Sequence, residues 1–130
     1  MDQRIGLEDL SILPVEPSHT QQRIVIQPLR EVGLHKIDGV NSGGEALETL
    51  AGYAPDLVVS ALYFGDMSGT DLIHALRETE HGRDLPFMLI SSEHHPVNLE
   101  PIRQAGVLAI LPKPFDVGSL RRLTRERLSA

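Results

Sequence analysis

A chain of 130 residues is the size of one compact domain, and its 41% hydrophobic and 23% charged residues make a globular composition, not a disordered one. The absence of cysteine excludes disulfides and thiolate zinc sites, and a net charge of −6 argues against broad attraction to nucleic acid. No apolar run approaches the ~20 residues that cross a bilayer, and the start MDQRIGLEDL is too charged for a signal peptide, so a single cytoplasmic domain that folds over residues 1–130 apart from its ends is expected.

In chain order, residues 11–15 (SILPV) make an apolar strand, although Pro14 takes a donor out of any ladder it joins. A helix over residues 18–32 follows; it should bury Ile24, Val25, Leu29 and Val32, and Pro28 inside it predicts a kink near Gln27. Residues 36–40 (KIDGV) are polar and contain a glycine, which suits an edge strand. Ser42 and Glu45 have capping-box spacing at the start of a helix whose inward stripe is Ala46, Leu47, Leu50 and Ala51. A third strand at 56–61 leads to a helix that begins at Ser68 or Thr70 and buries Leu72, Ile73 and Leu76. Strands at 87–91 and 107–111 complete the set and, like the third, are nearly continuous in apolar residues, the pattern of strands covered on both faces. Between these two a short helix is expected, with Asn98 as its cap and Pro101 in its first turn. Asp116 then caps a last helix that buries Val117, Leu120 and Leu123.

Five such pairs predict an α/β fold, a doubly wound parallel sheet with helices on both faces, whose ligand site lies outside the carboxyl ends of the strands where their order reverses. At those ends stand Val15-Glu16-Pro17-Ser18, Val58-Val59-Ser60-Ala61-Leu62, Ile90-Ser91-Ser92-Glu93 and Leu111-Pro112-Lys113-Pro114-Phe115. Further stretches are Gly44-Glu45-Ala46-Leu47, Pro55-Asp56-Leu57-Val58, Met67-Ser68-Gly69-Thr70-Asp71-Leu72, Leu85-Pro86 and Gln104-Ala105-Gly106. In this order and spacing they resemble the response-regulator receiver family over about residues 10–128, which the resemblance makes the core of the domain, and Lys113-Pro114-Phe115 is the most telling fragment. The resemblance implies a five-stranded sheet of order 2-1-3-4-5.

It also implies a phosphorylation site, with an aspartate at the end of the third strand attacking a phosphoryl donor while Mg²⁺, held partly by acidic residues after the first strand, neutralises the phosphate oxygens. Matched residue by residue, the acceptor position falls on Ala61 and the acidic pair on Glu16 and Pro17. The metal-loop residue falls on Tyr63, which is expected to fill the space beside the alanine. Ser91 and Lys113 keep the hydroxyl and the lysine that contact phosphoryl oxygens, and Ile110 stands where an aromatic switch residue is usual. Without phosphate, Lys113 is expected to pair with Glu16 or a carbonyl, because a partly buried ammonium needs a partner. No cofactor is implied, and Mg²⁺ binding should be weak or absent.

The function expected from this pattern is a phosphorylation-independent, non-enzymatic receiver in two-component signalling. It would bind a protein partner, or a second copy of itself, through the face made by the fourth helix, fifth strand and fifth helix, with no membrane or nucleic-acid role. Arg121, Arg122 and Arg125 on the last helix either complement the helix dipole or offer a surface to an acidic partner or, less in keeping with the net charge, to a nucleic-acid backbone. The alternative is a sensor of a small anion or metabolite that uses Ser91 and Lys113 as donors in the vacated pocket. His94 and His95 lack a third ligand at suitable spacing, and Asp66, the nearest substitute acceptor, reads as a turn residue.

Overall fold

Short apolar strands alternating with amphipathic helices bury most apolar surface when the strands lie parallel and the helices cross over on either side. The computed structural model, which describes residues 9–31, 33–80, 82–91, 96–112, 118–119 and 122, has this arrangement. Its elements are β1 (Ser11–Val15), α1 (His19–Glu31), β2 (Lys36–Ile37), α2 (Gly43–Gly52), β3 (Leu57–Ser60), α3 (Gly69–Arg77), β4 (Phe87–Ser91), α4 (Pro96–Gln104) and β5 (Ala109–Pro112). All strand pairs are parallel and the order is β2-β1-β3-β4-β5, as the sequence implied.

Side chains alternate between the two faces of the sheet. Leu13, Val15, Val58, Phe87 and Leu89 pack with Ala46 and Leu50 of α2, Leu72, Ile73 and Leu76 of α3, and Leu99 and Ile102 of α4. Ile12, Leu57, Val59, Met88, Ile90 and Leu111 form the opposite core with Val25 and Leu29 of α1. The period of two in the strands and the helical period in α2 and α3 are therefore satisfied together.

The sequence expectations need correction at several points. Ile24 is 51% exposed, so the inward stripe of α1 is narrower than its apolar residues suggested; Pro28, in its last turn, removes the N–H that would have bonded the Ile24 carbonyl. Ala51 is exposed and Leu47 only half-buried, leaving Ala46 and Leu50 as the anchors of α2. α4 begins at Pro96, two residues before Asn98, and holds Pro101 in its interior instead of its first turn. β5 is an edge strand with half-buried Ala109 and Ile110, although its apolar run resembled that of a central strand. Val32, Asp116, Val117, Leu120 and Leu123 lie outside the described residues.

β2 is shorter than expected for a reason carried by its neighbour. In this parallel ladder Asp38 N–H donates to the Ile12 carbonyl, Val40 N–H to the Pro14 carbonyl, and Glu16 N–H to the Val40 carbonyl. The rung between these belongs to Pro14, which has no N–H to give the Asp38 carbonyl. The strand accordingly stops at Ile37 and touches β1 again only as an isolated bridge between Val40 and Val15.

Candidate functional site

With strand order 2-1-3-4-5, the crossovers on either side of β1 diverge, and a crevice opens at the carboxyl ends of β1, β3 and β4. Register brings three of the expected residues there. Val15 pairs with Ser60, and Ala61 N–H donates to the Val15 carbonyl at 3.0 Å, which sets Glu16 beside Ala61. Ser60 pairs with Leu89, so Ser91 ends β4 at the level of Leu62. Glu16 and Ser91 are buried at 5% exposure each, and both make further interactions within the chain. Ala61 is 8% exposed, and its carbonyl accepts the Ser60 hydroxyl at 2.8 Å.

Pro17 is exposed at the rim. Ile110 is half-buried against the core on the side of α2, α3 and α4. Lys113, Arg121, Arg125, His94 and His95 lie outside the described residues; Arg122 is exposed, and its guanidinium reaches the Ser119 hydroxyl at 3.4 Å. Among the described residues no three His, Asp or Glu side chains gather as a metal site.

Tyr63 departs from expectation. It is 65% exposed and does not fill the space beside Ala61. Alternation explains the difference: Leu62 turns into the core and Phe64 packs against it, which points the residue between them outward. The loop then closes through Phe64 N–H to the Met67 carbonyl at 2.9 Å and a bridge between Tyr63 and Ser68. Gly69 completes the turn, its N–H 2.6 Å from the Leu62 carbonyl. Ser68 caps α3 through a reciprocal pair, its hydroxyl accepting Asp71 N–H at 3.1 Å and the Asp71 carboxylate accepting Ser68 N–H at 3.3 Å.

Asp66 proves more than a turn residue. Its carboxylate reaches across from the β3–α3 loop and accepts N–H of Gly43 at 3.1 Å and of Gly44 at 2.8 Å. The next amide, Glu45 N–H, is accepted by the Ser42 hydroxyl at 3.1 Å, so the first three orphan donors of α2 are all occupied from within the chain. Glu45 reaches back to Asn41 N–H at 2.8 Å, and the Asn41 amide donates to the Glu16 carbonyl at 3.1 Å. The hydrogen bonds from Gly44 and then Gly43 hold the Asp66 carboxyl below its ordinary value of 3.8. A depressed folded-state pKa contributes stability above the unfolded value and loses it as pH falls through the folded value. The stability difference between wild type and Asp66→Asn in urea titrations should therefore be constant near neutral pH and shrink below about pH 4; a difference that persists unchanged at the acid end contradicts this role.

At the opposite end of the sheet Arg77 closes α3. Its guanidinium donates to the carbonyls of Gly82 at 2.8 Å, Leu85 at 2.6 Å and Gly106 at 3.0 Å, joining the α3–β4 and α4–β5 connections. Burial pushes its pKa down, and Asp84 partly offsets this. The distance from the strand carboxyl ends makes this a structural clamp.

Comparison with known proteins follows the same outline. Residues 12–125 match the response regulator receiver domain. The chain is 31% identical over 114 residues to the chemotaxis protein CheY-3 of Vibrio cholerae, covering 88% of each. Among solved structures, a sensor protein from Polaromonas aligns with a TM-score of 0.83 at 27% identity, over 92% of this chain and 96% of that one. The receiver domain of a sensor histidine kinase from Pseudomonas aeruginosa, with a magnesium ion coordinated in its active-site cleft, aligns with a TM-score of 0.80 at 26% identity, over 89% and 95%.

Proposed function

The chain belongs to the response regulator receiver domain family, and we propose that it acts in two-component signalling without being phosphorylated, binding a protein partner or a second copy of itself in one standing conformation. The observation that carries this reading is Ala61 at the end of β3, buried beside Glu16. A phosphoryl acceptor needs a nucleophilic lone pair directed at phosphorus, and a methyl group has none.

The donor set does not fit Mg²⁺ either. Mg²⁺ prefers near-octahedral oxygen coordination and is usually anchored by one or two carboxylates together with substrate phosphates. Of the four positions matched to the acceptor and the metal site, Glu16 alone carries a side-chain carboxylate: Pro17 has no side-chain donor, Ala61 offers a methyl and Tyr63 faces outward. Asp66, the closest substitute in sequence, is taken up by the amides of α2. On this reading the domain binds and does not catalyse, and it works in the cytoplasm; its docking face is the one formed by α4, β5 and the segment that carries Arg121, Arg122 and Arg125. No described helix is long and apolar enough to cross a membrane.

The test is intact mass measurement after incubation with a small-molecule phosphodonor and Mg²⁺, with an ordinary receiver treated in parallel. The mass of this chain should stay unchanged while the control gains a phosphoryl group. One stoichiometric phosphoryl group on this chain, stable in acid and removed by hydroxylamine, would overturn the proposal.

A further inference from the structure

A receiver needs two arrangements of its strand-end loops, close in energy, if phosphate is to select between them. The β3–α3 loop of this chain is anchored at two points on one neighbour. Asp66 lies across the first turn of α2 with both carboxylate oxygens occupied, one by Gly43 N–H and the other by Gly44 N–H. Met67, the next residue, lies against Gly43 so closely that a Cβ there would collide with its sulfur. The glycine is what admits this side chain. The contacts span more than twenty residues of sequence and join the loop after β3 to the helix before it.

The same contacts continue around the rim. From α2 they run through Glu45 to Asn41 and from the Asn41 amide to the Glu16 carbonyl. Val40, next to Asn41, accepts Glu16 N–H at 3.0 Å and the Gln22 amide of α1 at 2.9 Å. The loops after β1, β2 and β3 are thereby joined into one hydrogen-bonded belt around the crevice. Within the β3–α3 loop the chain folds back on itself through Phe64 N–H to Met67 and Gly69 N–H to Leu62.

We infer that the Asp66 carboxylate is an internal anion that locks the β3–α3 loop onto α2, so that the loop is held in one conformation by the protein's own charge and not by events at Glu16 and Ala61. A ligand or modification can shift a two-state element only by its differential affinity for the two states, and an anion built into the chain favours one state at all times. The lock supplies a cause for a standing conformation and does not depend on whether the domain accepts phosphate.

Amide hydrogen exchange on the full 130-residue chain tests the lock. Wild type is compared with Asp66→Ala and with Asp66→Asn, which keeps the side-chain volume and one acceptor oxygen. Rates are read at Gly43 and Gly44, which the carboxylate holds, at Phe64 and Gly69, whose bonds close the loop, and at Val58, bonded to the Pro86 carbonyl in the sheet. Asp66→Ala should speed exchange about tenfold relative to Val58 at all four loop and helix amides, with a smaller rise in Asp66→Asn. Faster exchange confined to Gly43 and Gly44 overturns the proposal, since Asp66 would then cap α2 without governing the loop; unchanged rates at all four overturn it as well. Should Asp66→Ala raise the Val58 rate equally, the same comparison is made on Asp66→Asn. A phosphoryl group detected on the chain would end the preceding proposal and leave this one standing, and the exchange result does not decide phosphorylation.

Discussion

Arg77→Ala is expected to lower the unfolding free energy by about 3 kcal/mol, read as a shift of the urea midpoint without a change of slope. Three carbonyls lose their donor at once: Gly82 and Leu85 beyond the end of α3, and Gly106 in the turn before β5. Hydrogen bonds to a charged group contribute roughly 1.5–3 kcal/mol apiece when intact, but the three share one side chain at a partly exposed site, so their sum is not additive. Two connections that feed adjacent strands would loosen together, since β4 and β5 are paired from Met88 and Ala109 onward. Arg77→Lys should recover only part of the loss, because a single ammonium cannot serve three carbonyls on two separate segments as a planar fork does. Equal stability of wild type and Arg77→Ala would show that water replaces the guanidinium at no net cost.

Gly69→Ala should cost about 2 kcal/mol, measured by thermal or chemical unfolding. A Cβ at this position would stand 2.7 Å from the Ala61 carbonyl oxygen, with the Leu62 carbonyl and a Leu89 methyl both at 3.3 Å. The nearest obstacle is backbone, and it is held twice over: the Ala61 N–H is bonded to β1 and its carbonyl to the Ser60 hydroxyl. The strand cannot yield, so the first turn of α3 must back away and strain the 2.6 Å bond from Gly69 N–H to Leu62. Since this displacement begins at the end of β3, Gly69→Ala should also perturb the amide resonances of Ala61 and Leu62. An alanine variant of wild-type stability would mean that α3 shifts freely.

These groups also mark where sequence reading stopped. The bounds of β1 and β4 were legible because each is a compact apolar run in which alternate residues meet different cores. The start of α3 was legible to within two residues, at Ser68 or Thr70, and the local pairing of Ser68 with Asp71 decides for Ser68 as the cap. Ile24 and Tyr63 misled because an apolar or aromatic residue carries no record of its direction; period placed one inward and an imagined vacancy the other, and both face out. Asp66 and Arg77 were invisible as fixed points, since their partners lie up to 23 and 29 residues away and no local pattern connects them. Two adjacent glycines behind a capping serine were the one available hint that the amides at Gly43 and Gly44 would be open to an outside acceptor. Of the candidate site, Glu16, Ala61 and Ser91 came together because β-strand register is set by the apolar pattern.

The missing rung at Pro14 matters beyond β2 itself. An open sheet exposes two rows of unpaired backbone groups, and long flat rows act as templates on which a second molecule can extend the sheet. Here one border is a strand of two residues, cut short from the inside by a proline in its neighbour, and the other ends on Pro112, which also lacks a donor. Each border thus gives an approaching chain few consecutive groups to copy, so association through sheet extension is disfavoured and contacts between molecules fall to side chains.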